Sequence, residues 1–317
     1  MMNLEDATIP TSLNDHSSTN HDSKVFALAL VAVQIDGLAL KRLSRTLRAN
    51  IDVVRTAVRQ NGHALAWAAP ALRACPTTVA MAIQSQPFSY RSAAHTLQHN
   101  IDVVMRAVKT DGRVLEFIVP PLRYRRDVVE AAVSQNGMAI RFALDRGDDP
   151  TYHSPLDAAL VEMAVRSNGY ALASLPAQWR ADRSTVLSAV HQAGQALEFA
   201  HPTLQADRDI AMTAVAQNGY ALGWVGPSLQ QSCRDIVYMA VKQTGSALWL
   251  AVDVWKSDMS IVTTALRQGK FPLQHVHSSI RNHPSVWAAW VRGTYFLTRD
   301  LDRVLECWQN NIGGINW

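Results

Sequence analysis

The same pattern of apolar and polar positions recurs about every 25 residues along most of this chain. Each period contains one glycine, called the marker, from which positions within the period are counted. In the period marked by Gly62, apolar residues stand at −9, −8, −5 and −4, as Val53, Val54, Ala57 and Val58. This spacing places four apolar side chains on one face of a helix of about ten residues. The pattern therefore predicts one amphipathic helix before each marker.

The marker recurs through nearly the whole chain, which identifies a tandem repeat of about eleven units. Two periods separate Gly62 from Gly112, and Pro87 stands at the intermediate position. The step from Gly137 to Gly169 is 32 residues, so about seven residues are inserted there. The complete set of markers is Gly37, Gly62, Gly112, Gly137, Gly169, Gly194, Gly219, Gly245, Gly269 and, at the end, Gly293.

Polar residues at fixed positions predict where each helix begins and ends. The Asn-Gly pair at the marker predicts a C-cap in which glycine adopts the left-handed conformation. Ten residues before the marker stands an Asp, Thr or Ser, which we interpret as the N-cap that accepts the first backbone N–H groups. These residues are Asp52, Thr77, Asp102, Asp127, Ser184, Asp209 and Asp235.

A second, shorter element follows each marker. It reads Ala-Leu and then an aromatic residue at +5, as in Leu65 and Trp67, with proline often at +8 and leucine at +10. This predicts an α or 3₁₀ helix of about five to seven residues. We expect the aromatic residues to pack in the core; the alternative is a stacking platform for nucleic-acid bases.

The capping residues favour an all-α fold, an α-solenoid built from a helix, an Asn-Gly cap and a short second helix per repeat. A leucine-rich repeat has a similar period and would make the second element a strand, but the L-x-x-L-x-L spacing is missing. The pattern D-x-x-V-x-x-A-V-x-Q-N-G-x-A-L-x-(F/W)-x-x-P-x-L-R resembles the repeat family of domain of unknown function 4116, DUF4116, from about Val25 to Ile280. That resemblance implies repeats in tandem pairs and no agreed activity.

The sequence outside the repeat suggests three boundaries. Residues 1–24 are polar and rich in Ser, Thr, Asn and Asp, which predicts a disordered tail. Residues 25–280 form the array, interrupted by an insertion at 144–156 that we expect to be a loop. Residues 281–317 are rich in aromatic residues, such as Trp287 and Trp290, and we interpret them as a C-terminal capping unit.

Composition narrows the class of protein. The chain is 48% hydrophobic and 18% charged, and no apolar run is long enough to cross a bilayer, so we expect a soluble, cytoplasmic protein without membrane insertion. Three cysteines in no metal-type spacing suggest small buried side chains in a reducing compartment. The net charge of +4 is a weak basic bias that does not by itself predict a nucleic-acid partner.

Motifs that carry catalysis are missing: the chain has no G-x-S-x-G, H-E-x-x-H, P-loop or dinucleotide-binding fingerprint. We therefore expect no enzymatic activity and no cofactor. His275, His277 and His283 could ligate a metal, but no Cys or carboxylate stands at a useful spacing, so we favour surface or packing roles. The acidic residues of the insertion, Asp145 and Asp148 with Asp149, fit a solvated loop better than an acid–base pair.

Two rows of residues could form binding surfaces if the repeats stack. The residue at +1 differs in almost every repeat, which is typical of a recognition surface but also of a merely exposed position. We assign partner binding to His63, Phe88, Arg113, Met138, Tyr170, Gln195 and Tyr220; Leu38, Ser246 and Lys270 occupy the same position. The second row, near +11, could bind a polyanion or could pair with the Asp of the next helix start; its members are Arg48, Arg73, Arg123, Arg126 and Arg180.

The resulting hypothesis is a non-catalytic scaffold that binds a protein or peptide along one edge of the solenoid. One alternative is a bacterial effector exported into a host cell, with the polar tail as its signal. A second alternative is nucleic-acid or polyanion binding through the arginine row.

Overall fold

The computed structural model describes residues 15–144, 156–269 and 273–298. In these segments every regular element is a helix and none is a strand, so the fold is all-α and the leucine-rich alternative is wrong. The described residues divide into two compact bodies, a first body that ends at Gln135 and a second body that begins at Asn136. Each body is a stack of helical repeats.

A repeat contains three helices, as in Ile51–Gln60, Gly62–Trp67 and Pro70–Arg73. The first is a long α-helix of ten residues, the second a 3₁₀ helix of six residues that starts at the marker, and the third a short α-helix of four. The two predicted elements are therefore confirmed. The third helix follows from proline at +8, which is favourable in the first turn because its missing N–H has no helical partner there.

The first body begins with the helix Asp15–Ile35 and continues with four repeats. Its long helices are Ile51–Gln60, Pro76–Ser85, Ile101–Thr110 and Arg126–Gln135. Its 3₁₀ helices are Gly37–Arg42, Gly62–Trp67, Pro87–Ser92, Gly112–Phe117 and the short Leu122–Tyr124. Its short α-helices are Arg45–Ala49, Pro70–Arg73 and His95–Gln98.

The second body repeats the same order. Its long helices are Ala158–Ser167, Arg183–Gln192, Arg208–Gln217, Arg234–Gln243, Met259–Arg267 and Pro284–Thr298. Its 3₁₀ helices are Gly137–Ala139, Gly169–Ser174, Gly194–Phe199, Gly219–Trp224, Gly245–Leu250, Trp255–Ser257 and Leu273–His275. Its short α-helices are Ile140–Leu144, Ala177–Arg180, Pro202–Gln205, Pro227–Ser232 and Ser278–Arg281.

Small aliphatic side chains form the core of both bodies. Within each body, successive long helices pack on one another and successive 3₁₀ helices do the same, which gives two layers. The predicted stripe is confirmed: Val53, Val54, Ala57 and Val58 are completely buried, as is Leu65 from the 3₁₀ layer. Burying aliphatic groups between the layers stabilises the fold by about 25 cal/mol for each Å² of apolar surface removed from water.

The long helices begin two residues earlier than predicted. Asn50, not Asp52, is the N-cap of Ile51–Gln60, and its Oδ1 accepts hydrogen bonds from the N–H groups of Asp52 and Val53. Asn100, Asp182 and Asp207 have the same role in their repeats. The residues predicted as caps instead lie inside the first helical turn, where acidic ones such as Asp52 favour the helix dipole.

Of the described markers, Gly269, with φ 69° after the helix Met259–Arg267, adopts the predicted left-handed conformation, and for the others the prediction is wrong. The residue before the marker is extended and caps the 3₁₀ helix, as the Oδ1 of Asn61 does for the N–H of His63. A glycine is required for a different reason. A Cβ at Gly62 would lie 2.3 Å from the carbonyl oxygen of Ala82 on the next long helix.

For six described markers a glutamine of the next repeat accepts a hydrogen bond from the marker N–H, whereas Gly137 donates to the Oγ of Ser167. In this inter-repeat glutamine bond, the Oε1 of the residue at −2 accepts from the preceding marker, at 2.6 Å for Gln217 and Gly194. The same bond joins Gln60 to Gly37, Gln135 to Gly112, Gln192 to Gly169, Gln243 to Gly219 and Gln268 to Gly245. Pro87 has no N–H to donate. In the next repeat the −2 position, where the accepting glutamine would stand, is Thr110.

The repeat marked by Pro87 also contains a buried tyrosine where other repeats have leucine. The hydroxyl of Tyr90 donates to the carbonyl oxygen of Gln98 at 2.6 Å and accepts from the N–H of Val119. In other repeats the backbone N–H at +7 donates directly to the carbonyl oxygen of the +11 residue of the preceding repeat, as from Ala69 to Arg48 at 2.9 Å. Tyr90 therefore bridges two backbone groups, and its burial raises its pKa to about 12.

The structure revises one predicted boundary and leaves others untested. The helix Asp15–Ile35 includes residues 15–24 of the segment predicted to be disordered; residues 1–14 lie outside the described residues, as do 145–155 of the insertion and 299–317 of the capping unit. Pro284–Thr298 packs against Met259–Arg267, as a capping helix would. Gly293 lies inside that helix, where a Cβ would meet the carbonyl oxygen of Leu266.

Two cysteines are described, and neither is buried as expected. Cys75 and Cys233 are both half-buried and free. Cys75 is the N-cap residue of Pro76–Ser85, and its Sγ lies 3.2 Å from the Oγ1 of Thr77. Hydrogen bonds from Thr77 and Thr78 lower the pKa of the Cys75 thiol to about 7, because they stabilise the thiolate.

Candidate binding surface

The residues at +1 lie at the start of the 3₁₀ helices, and most are accessible. Leu38, His63, Arg113, Tyr170 and Tyr220 are exposed. The remaining described members, Phe88, Met138, Gln195 and Ser246, are half-buried, and Lys270 lies outside the described residues. In six of the nine described members the +1 N–H is bonded to the Asn or Asp that precedes the marker. Phe88, Gln195 and Ser246 lack this bond.

Consecutive +1 side chains touch one another within a body. The hydroxyl of Tyr170 donates to the Oε1 of Gln195 at 3.0 Å, and the hydroxyl oxygen of Tyr220 lies 2.6 Å from the Oγ of Ser246. In the first body the guanidinium of Arg113 lies 5.5 Å from the ring centre of Phe88. At these three steps the +1 residues are therefore also neighbours in space.

The aromatic residues at +5 belong to this row and not to the core, so the prediction that they pack in the core is wrong. Trp67 and Trp224 are 36% and 41% exposed. Phe117 and Phe199 each pack edge-on against a +1 ring of the preceding repeat, at 5.8 Å from Phe88 and at 6.4 Å from Tyr170. The small residue at +6, such as Ala68, occupies the buried position instead.

Cations at +4 complete the surface in the first body. The Nζ of Lys41 lies 4.7 Å from the ring centre of Trp67, and the guanidinium of Arg91 lies 4.3 Å from that of Phe117. Both contacts join one repeat to the next and fall within the range of cation–π attraction. We name the exposed set at +1, +4 and +5 of each body the 3₁₀ strip.

The predicted arginine row has a structural role in at least one repeat. Arg123 donates from Nε to the carbonyl oxygen of Ile118 and from Nη2 to that of Glu116, both at 2.9 Å, and so caps the end of its 3₁₀ helix. Glutamines at the same position, Gln98, Gln205 and Gln230, donate to equivalent carbonyls. The position therefore selects a long side chain that donates hydrogen bonds, and charge is not essential there.

The other predicted arginines differ among themselves. Arg126 is a helix-start residue that pairs with Glu130. The Nε atoms of Arg48, Arg73 and Arg180 are buried and have no hydrogen-bond partner in the described part of the chain. The predicted pairing across repeats is made by arginines that begin the long helices; these pairs are Arg183 with Asp207 and Asp209, Arg208 with Asp235, and Arg234 with Asp258.

Charge is distributed unevenly along the chain. Residues 15–135 contain 15 Lys and Arg against 9 Asp and Glu, a net charge of +6. Residues 136–317 contain 15 of each kind and are neutral. The basic bias of the whole chain therefore comes from the first body.

Two of the three histidines considered as metal ligands accept hydrogen bonds at helix starts. The Nδ1 of His277 accepts from the N–H of Ser279, and the Nδ1 of His283 accepts from that of Ser285. In the segments that the structure describes, no group of three or more His, Cys, Asp or Glu side chains is arranged to hold a metal ion. The carboxylates predicted to crowd the insertion, Asp145, Asp148 and Asp149, lie outside the described residues.

A second accessible surface follows the outer sides of the long helices. Between Ala158–Ser167 and Arg183–Gln192 lies a shallow groove of about 420 Å³, lined by Glu162, Leu187 and His191 among others. Met163, on the first of these helices, is 37% exposed. Each long helix presents its −7, −6 and −3 residues to this side, which we name the long-helix face.

Comparison with known proteins identifies the repeat but no characterised relative. The family model described as Domain of unknown function (DUF4116) matches residues 28–73, 78–123, 100–146, 182–230 and 233–281. Each match spans about two repeats, as the tandem pairing implied by the resemblance requires. No curated protein and no solved structure matches the chain. None of the described helices is long and apolar enough to cross a membrane. The five matches cover more than half of the sequence, so the chain belongs to the DUF4116 repeat family.

Proposed function

We propose that this protein is a non-catalytic scaffold that binds a protein or peptide along the 3₁₀ strip. One observation supports the proposal most directly. The strip combines varied, mostly exposed side chains with a backbone that the marker, the Asn or Asp cap and the inter-repeat glutamine bond hold in most repeats. Surfaces of this kind, in which a rigid frame presents changeable residues, are typical of repeat proteins that recognise extended partners.

The chemistry of the strip fits a peptide. Tyr170 and Tyr220 present both an apolar ring and a hydroxyl, and 39% and 43% of their surfaces are exposed. Tyrosine is enriched at protein interfaces because it buries a large area at a small entropic cost. Its hydroxyl can donate a hydrogen bond to a peptide carbonyl or accept one from a peptide N–H.

Peptide display on the immobilised full chain tests the proposal. We expect enriched peptides whose binding is lost when Tyr170 and Tyr220 are both replaced by serine. The +1 position of the repeat marked by Gly245 is naturally a serine, Ser246, so the double variant should fold. The matched control is Met163→Ser, which removes a side chain of similar exposure from the long-helix face.

Each tyrosine should contribute about 1 to 2 kcal/mol to binding, so the double variant should weaken binding by at least about tenfold. The proposal fails if no peptide is enriched. It also fails if the Met163→Ser control weakens binding as much as the double tyrosine variant. Cytoplasmic location, and the alternative of export as a bacterial effector, stay predictions from the sequence.

A further inference from the structure

A pocket of about 350 Å³ opens between the first two repeats of the first body. Arg45 and Arg48 of the short helix Arg45–Ala49 line one side, and Trp67 and Pro70 of the next repeat line the other. Lys41 lies over the Trp67 ring. Lys41 therefore contacts the partly exposed indole while Arg45 and Arg48 line the same pocket, and the described residues that line the pocket include no carboxylate.

Arg48 has an unused hydrogen-bond donor at this place. Its Nε is buried and has no partner in the described chain, whereas Arg123 at the equivalent position donates its Nε to a backbone carbonyl. Leaving a buried arginine N–H without an acceptor is unfavourable. Arg73 and Arg180 share this feature, and Arg48 differs from them because Arg45 lines the same pocket and Lys41 lies over its Trp67. An oxygen of a bound anion would supply that partner through a charge-assisted hydrogen bond.

We infer that this pocket, with the adjoining 3₁₀ strip of the first body, binds an acidic peptide segment and seats a carboxylate between Arg45 and Arg48 against Trp67. The inference rests on the proposed function and specifies the partner for one of the two bodies. The net charge of +6 on residues 15–135, against zero on residues 136–317, favours acidic recognition by the first body.

The arrangement favours a peptide over a single-stranded nucleic acid. Nucleic acids without sequence preference bind by stacking bases on open aromatic faces. In this strip Lys41 covers a face of Trp67, and Arg91 covers a face of Phe117. A base would have to displace these cations, whereas a carboxylate can bind beside them. The rings therefore act as supports that hold the cations in place.

Fluorescence anisotropy with the full chain tests this inference. The probe is a short fluorescein-labelled peptide of alternating Glu and Gly, and fluorescein-labelled oligothymidylate is titrated in parallel. The variant is Arg48→Gln, which should fold because glutamine stands at the same position in Gln98, Gln205 and Gln230. The matched control is Arg180→Gln, which changes a residue with the same buried Nε in the neutral second body. Circular dichroism confirms that both variants are folded.

We expect Arg48→Gln to raise the Kd of the Glu-Gly peptide by at least about tenfold, because a charge-assisted contact is lost. Combining it with Arg45→Gln should raise the Kd further, and Arg180→Gln should change it less than about twofold. The affinity of the unchanged protein should fall with added salt.

Equal effects of Arg48→Gln and Arg180→Gln would overturn the inference. Oligothymidylate that binds more tightly than the peptide and is lost in Arg48→Gln would also overturn it, because the site would then be one for nucleic acid. A Glu-Gly peptide that does not bind, while displayed peptides still bind through Tyr170 and Tyr220, refutes the inference alone. If neither kind of peptide binds, the proposed function fails as well.

Discussion

Replacing Gln217 with methionine tests the bond that joins successive repeats. Methionine keeps the length and the helix propensity of glutamine but has no oxygen to accept from the N–H of Gly194, which now lies 2.6 Å from Oε1. Gly194 is buried, so water cannot replace the lost acceptor without opening the contact. Orphaning a buried backbone N–H costs about 1 to 3 kcal/mol.

Two measurements check this magnitude. Urea unfolding followed by circular dichroism should show that Gln217→Met lowers the free energy of unfolding of the second body by about 1 to 3 kcal/mol. Amide hydrogen exchange gives a local readout. The same energy corresponds to an increase of about 5- to 150-fold in the exchange rate of the Gly194 amide if it exchanges by local opening.

Two controls separate the lost acceptor from the added methionine. Ala216→Met places the same side chain at the neighbouring exposed position in the same helix, and it should change stability by less than about 0.5 kcal/mol. Thr110→Met changes the −2 residue of the repeat that follows Pro87. Because Pro87 has no N–H that needs an acceptor, this variant should also change stability by less than about 0.5 kcal/mol. The reasoning is refuted if Gln217→Met is as mild as these controls and leaves Gly194 exchange unchanged.

Three further predictions concern single residues. Gly169→Ala should destabilise the fold by about 1 to 3 kcal/mol, because its Cβ would lie 2.4 Å from a carbonyl oxygen of the next repeat; Gly223→Ala, whose Cβ would meet only ordinary contacts, is the control for the same urea measurement. Tyr90→Phe should cost about 1 to 3 kcal/mol in urea unfolding because the Val119 N–H loses its acceptor. The Tyr90 pKa is raised in the folded state, so its contribution is complete below pH 10 and lost as the pH rises through about 12, a dependence that Tyr90→Phe should lack. Alkylation of Cys75 by iodoacetamide should reach half its maximal rate near pH 7, and a midpoint near pH 9 would contradict the hydrogen-bond argument.

The sequence was sufficient to predict the repeat, the buried stripe and the short second helix. These follow from local periodicity, because four apolar residues on one helical face must be buried whatever the neighbouring repeat is. The exact helix start was missed, since Asn50 and Asp52 are both good caps and only the backbone decides between them. A signal was present: the Asn or Asp at −12 recurs in several repeats as regularly as the Asp at −10.

Features that depend on contacts between repeats were not predictable in the same way. The role of Gln217 could be suspected from the recurring Gln at −2, but its partner is 23 residues away. Trp67 was placed in the core because large aromatic residues are usually buried, and the small Ala68 beside it takes that position instead. Arg123 was predicted to bind anions because charge alone does not reveal that its guanidinium caps a helix end.

The inter-repeat glutamine bond also determines where the array can be cut. A truncation directly after a 3₁₀ helix would remove the glutamine that accepts from its first amide, as Gln268 does for Gly245 at 2.6 Å. A truncation one long helix later keeps that acceptor. The unit that keeps its bonds is therefore offset from the period written in the sequence, because it begins at one glycine and ends with the glutamine at the end of the next long helix.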